Sequence, residues 1–212
     1  MSKNRIIAVV LAVLFLVYAG STATVVKEGQ EALLTGEKVF DPATVAANFW
    51  KNDSKEYFKN NCYELSELIK EANGDFVSVS QKGHYSMGDS GELSFIVKGS
   101  GTVTEVKNKL KSGYVVFDLD NNPSEDIKTR LQIGPVFKGS AVRDSISLIS
   151  YKDYKNQIEW AQVSVSLHNL ILNEVLSKID FDNLTGKKIE FIGCFTVGSG
   201  DLRITPVELT VK

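Results

Sequence analysis

The chain has 212 residues, 43% of them hydrophobic, enough for one core and a small helical appendage. Lysine and arginine total 24 against 26 aspartate and glutamate, a net charge of −2. That balance lacks the positive field a phosphate backbone requires, so nucleic acid is not an expected partner.

The N-terminus reads as an export signal. Lys3 and Arg5 precede an uncharged apolar run, Ile6 to Ala19, and Ser21 and Ala23 are small enough for a signal-peptidase site. The uncharged stretch continues to Val26, long enough to span a bilayer if uncut. Residues 1–23 are therefore expected to be a signal peptide or an N-terminal membrane anchor, and 24–40 a linker arm. The expected location is periplasmic, either anchored in the inner membrane by this helix or released after cleavage. No cysteine lies near the segment, which on the sequence excludes lipid attachment through a lipobox thiol. Cys62 and Cys194 could pair in an oxidising compartment, but each falls on an apolar face and two free thiols are the preferred reading. Together with His84 and His168 they lack ligand spacing, so no metal or other cofactor is expected.

Residues 41–212 read as a single domain. Asp41-Pro42 opens a short helix, with an N-cap acceptor followed by proline where its missing N–H is harmless. Asp53-Ser54 opens a second, whose stripe Phe58, Cys62, Leu65, Ile69 and Ala72 runs to a left-handed cap at Gly74. These form an N-terminal helical pair over 41–74. FVSVS (76–80) could be a short strand, and the residues after it a glycine- and serine-rich loop. A long strand from Glu92 alternates Leu93, Phe95 and Val97 inward and carries Gly99 and Gly101 where the sheet should bend. Gly113 to Leu119 and Ile127 to Ile133 follow, the latter ending at Gly134-Pro135. The D-x-D-x-N run at Asp118 resembles a calcium loop, but Pro123 and Thr129 occupy the glycine and glutamate positions, so a polar hairpin loop is the better account.

Asn156 and Glu159 form a capping box that starts a long helix, with Trp160, Val163, Leu167, Leu170 and Ile171 on its apolar side. His168 beside them reads as structural. Ile189 to Val197 and Leu202 to Val211 are the last strands, and the parity slip at Pro206 marks a bulge. Three strands, a helix and two strands predict an α+β, mainly β fold. The specific expectation is an OB-like five-stranded Greek-key barrel over 91–212, with a long helix between strands three and four. An unrelated α+β sandwich is the alternative.

Several motifs agree with one family. They are Gln132 to Val136, Gly139, Ala141, Arg143-Asp144, Tyr154, Asn156 to Ala161, Leu184, Gly186-Lys187, Phe191, Gly193, Phe195 and Ile204 to Val207. In these the chain resembles, from about Phe40 to the C-terminus, the bacterial family catalogued as domain of unknown function 2291, predicted periplasmic lipoproteins. The resemblance implies an envelope protein often encoded beside sugar-type ABC transporters, whose permease or solute-binding protein would be its partner.

Arg143, Asp144, Tyr154, Asn156, Gln157, Glu159 and Trp160 either line a polar groove for a sugar or peptide or tie the strand-to-helix crossover together. The structural alternative is favoured. Gly134, Pro135 and Gly139 supply the turn. Arg143 and Asp144, adjacent on an expected strand, are read as bonding elsewhere rather than to each other. No nucleophile–base pair, metal cluster or cofactor loop is legible, so an enzyme is not expected. The readings are a non-enzymatic accessory module of a carbohydrate transporter, an OB-type oligosaccharide or envelope-polymer binding domain acting alone and, last, a hydrolase.

Overall fold

The computed structural model describes residues 3–22, 40–88, 90–124, 127–198 and 200–212. Apart from Phe40, the expected linker 24–40 lies outside them, as does Ala23 of the cleavage site. The chain divides into two compact units, 1–40 and 41–212.

The first unit holds helix α1 (Lys3–Thr22). Its uncharged apolar run, Ile6 to Ala19, is roughly 21 Å long at ~1.5 Å per residue, short of the ~30 Å hydrocarbon core. Among the described residues no helix is long and apolar enough to cross a membrane, so the expected anchoring helix is corrected.

In the second unit, α2 (Pro42–Asn52) starts as predicted, with the Asp41 carboxylate accepting from the Ala43 N–H at 3.0 Å. The single helix expected from Asp53 to Gly74 is instead two, α3 (Ser54–Asn61) and α4 (Leu65–Ala72). Between them Cys62 is extended and β1 (Tyr63–Glu64) pairs in parallel with Val97 and Lys98. A sheet edge that satisfies the backbone there competes with helix continuation. The stripe survives the break, since Phe58, Leu65, Ile69 and Ala72 are all buried. Asn73 (φ 46°) takes the left-handed cap one residue before Gly74. FVSVS (76–80), read as a possible strand, lies instead in a 3-10 helix, Phe76–Lys82, capped by Asp75, and β2 (His84–Tyr85) follows.

The barrel comprises β3 (Leu93–Lys107), β4 (Ser112–Leu119), β5 (Thr129–Pro135), β6 (Lys188–Thr196) and β7 (Leu202–Val211). β3, β4 and β5 are antiparallel neighbours, β5 runs parallel to β7, β7 pairs with β6, and β6 pairs back with β3. The sheet is closed, and the predicted OB-like barrel with its α+β character is present. Strand β3 pairs with β6 up to Thr102 and with β4 from Gly101, and at this hand-over a Cβ on Gly101 would collide with the Asp118 carbonyl. The bulge at Pro206 is real, since Ile192 pairs with Glu208 while Gly193 pairs with Pro206. Phe117 meets Phe191 edge-on at 5.3 Å inside the barrel, and Phe95, Phe195 and Phe76 close one end.

Between β5 and β6 run α5 (Ala141–Asp144) and the long α6 (Gln157–Glu174), which buries Trp160, Val163, Leu167 and Ile171. Cys62 and Cys194 are free thiols. Ile96 pairs with Cys194 and Val97 with Tyr63, so the cysteines sit two strands apart, ~10 Å, beyond the ~7 Å a disulfide tolerates.

Candidate functional site

The motif residues of the crossover converge on Arg143. Its Nε and Nη2 donate to Asp144 Oδ1 at 2.8 and 2.6 Å, and Nη1 donates to the Trp160 carbonyl at 3.0 Å. Its guanidinium carbon lies 4.2 Å from the Trp160 ring centroid, and the Tyr154 ring packs 5.1 Å from the same indole. The adjacent pair therefore does bond side by side, contrary to the strand-based expectation. These residues lie on the short helix α5, where the side chains can turn towards each other. Burial pushes the Asp144 carboxyl up from the usual carboxylate range, against the downward pull of Arg143.

The other predicted residues fall around this pair. Asn156 caps α6, accepting from the Ile158 and Glu159 N–H groups at 2.9 Å, and Glu159 accepts from the Lys155 N–H at 3.0 Å. Gln157 is exposed. Gly134 and Gly139 take positive φ, 72° and 80°, and the Gly134-Pro135 bond is cis. The turn they make is held by Gln132, which accepts from the Lys138 N–H at 2.8 Å and donates to the Lys138 carbonyl and Thr205 Oγ1. Nearby, His168 stacks on Phe137 at 4.7 Å; its pKa is lowered to about 4, first by burial and then by the Arg143 charge. Arg143, Asp144 and Trp160 are buried, and their contacts favour the structural alternative.

A second constellation, not assembled from the sequence, lies on the outer face of β4, β5 and β7. The register sets Val116 opposite Arg130 and Arg130 beside Arg203, so two arginines face outward from neighbouring strands. Like charges so placed repel. Arg130 is relieved by Asp201, 2.7 Å away, and stacks on Tyr114 with its guanidinium carbon 4.6 Å from the ring centroid. Its Nε is buried without a hydrogen-bond partner. Tyr114, Arg130 and Arg203, together with Leu110, Gln132 and Lys138, line a groove of about 190 Å³, and none of its lining residues among the described ones is acidic. Alternation along each strand places Arg130 and Arg203 outward. Only the parallel β5–β7 pairing, which is not local, brings them together.

The fold is similar to the crystal structure of an OB-fold protein from Thermotoga maritima MSB8, with a TM-score of 0.63 and 19% identity. That match covers 82% of this chain and 100% of the other. No curated protein matches the chain. The family model described as "Predicted periplasmic lipoprotein (DUF2291)" matches residues 11–210. A periplasmic location fits that description. The exclusion of lipid attachment does not, because lipoproteins are what the family is described as, and that expectation is corrected together with the membrane-anchoring helix. By a match over nearly its whole length, the chain belongs to this family of predicted periplasmic lipoproteins.

Proposed function

We propose that this protein is a non-catalytic, OB-type binding module for an anionic polymer of the cell envelope, held on the outer face of β4, β5 and β7. The observation that carries this reading is the Arg130–Arg203 pair beside Tyr114, in a groove with Lys138 and no acidic lining residue among the described ones. Asp201 already pairs with Arg130, so a bound carboxylate or phosphate would supply the counter-charge that Arg203 and Lys138 lack among the described residues, and a sugar ring could lie on the tyrosine. OB barrels commonly take extended ligands on the face of their second and third strands, here β4 and β5, flanked by the connecting loops, with Leu110 in one of them. Nucleic acid is not the ligand in this reading, given the net charge of −2 and a periplasmic setting.

The test is binding of the full chain to polygalacturonate against uncharged dextran, followed by calorimetry over a range of salt. Preference for the anionic polymer, weakening as salt rises, is expected; equal binding of dextran, or stronger binding of single-stranded DNA, would overturn it. In the same reading a carbohydrate ABC transporter permease or solute-binding protein, the neighbour implied by the family resemblance, would be served by such a module. Co-purification of transporter subunits with the tagged protein tests that partner.

A further inference from the structure

A separate cavity of about 180 Å³ lies among α3, β1, the segment leading into β2 and the turn after α5, and shares no lining residue with the arginine groove. Its walls are held by the motif-bearing turn. His84 Nδ1 donates to the Asp144 carbonyl at 2.7 Å. A carbonyl only accepts, so Nδ1 carries the hydrogen, and in the neutral imidazole Nε2 is then the acceptor. The Tyr57 hydroxyl accepts from the Ser147 N–H at 2.8 Å and lies 3.1 Å from the Ser145 carbonyl. Backbone groups of residues 144–147 thus orient two side chains that line the cavity. The Arg143–Asp144 ion pair behind them fixes that backbone.

The remaining chemistry is neutral and polar. Asn61 donates its amide nitrogen to the Tyr57 carbonyl at 2.8 Å, leaving Oδ1 to accept. The Gln81 amide makes no hydrogen bond among the described residues. Lys82 is paired with Glu71 and sits 5.3 Å from the centroid of the Tyr63 ring, so its charge is already compensated. Among the described residues no carboxylate lines the cavity. Its volume is below the ~300 Å³ at which drug-sized sites begin, which suits a single ring.

We propose that this cavity is a second binding site, for a neutral, hydroxyl-bearing small molecule of one ring. His84 Nε2, Asn61 Oδ1 and the Gln81 amide supply its hydrogen bonds, and Tyr63, 38% exposed, its apolar face. Arg143 and Asp144 are positioning residues here, acting through the turn rather than by contact.

The experiment follows the His84 imidazole signals of the full chain by NMR, with glucose and myo-inositol as neutral probes and glucuronate as the charged control. Saturable shifts with at least one neutral probe are expected, weakened about tenfold or more by Gln81→Ala and by Tyr63→Ala. Both side chains are exposed, so the variants should melt with the parent protein. Arg203→Ala, in the other groove, should leave the shifts unchanged, which separates failure here from failure of the polymer-binding reading. Absence of a saturable shift with both neutral probes, preference for glucuronate, or shifts undiminished in both variants would overturn the proposal.

Discussion

Arg143 and Arg130 are chemically alike and structurally opposite. Each stacks on an aromatic ring, at 4.2 Å on Trp160 and 4.6 Å on Tyr114, and each pairs with an aspartate, at 2.6 and 2.7 Å. The side chain of Arg143 is only 9% exposed and that of Arg130 is 28% exposed. Burial decides what the same chemistry can do. Around Arg143 the donors are directed at Asp144 and the Trp160 carbonyl, so the cluster fastens the crossover. Around Arg130 a second arginine and open solvent remain, which is where the proposed ligand would lie.

Truncating one arginine at a time should separate the two clusters most sharply. Arg143→Ala would leave Asp144 buried without its cation, and a loss of about 3–5 kcal/mol is expected in urea unfolding. Arg130→Ala, at a partly exposed pair, should cost below about 1 kcal/mol. Equal losses would show that burial is not what separates the two clusters.

Acid should act on the buried side first. The folded pKa of His168 is about 4, below its ordinary 6.5, so the unfolded chain binds the extra proton across that interval. The stability is present above pH 6.5 and is lost as pH falls towards 4, by up to about 3 kcal/mol. Unfolding curves measured between those values check this, and His168→Phe should flatten the dependence. A smaller effect is expected at the turn between the two clusters. An alanine Cβ at Gly134, where φ is 72°, would lie 2.6 Å from Leu172 Cδ2, and Gly134→Ala should cost roughly 1–3 kcal/mol in the same assay. Least of all, Arg203→Ala on the exposed face should change stability by no more than about 0.5 kcal/mol.

The barrel was legible because its signals are local: glycines 99 and 101 in a long alternating strand, Pro206 at a parity slip, Asn156 ahead of an apolar helix. The break at Cys62 was not. The stripe from Phe58 to Ala72 keeps helical spacing, and only the distant edge of β3 reveals that Tyr63 and Glu64 belong to a sheet. The candidate sites divide in the same way. The motif residues 143–160 are close in sequence and could be read as a cluster, though not the mutual pairing of Arg143 and Asp144, which depends on a helical turn. Tyr114, Arg130 and Arg203 come from three strands, and nothing along the chain announces that the third lies beside the second.

In the proposed division of roles, the outer arginine face binds and the buried one holds the fold. Calorimetric titration of the full chain with polygalacturonate, wild type against Arg203→Glu, tests it most directly, with thermal melts run on the same samples. Matching melts with an affinity reduced about tenfold or more are predicted. An unchanged affinity in the folded variant would contradict the account.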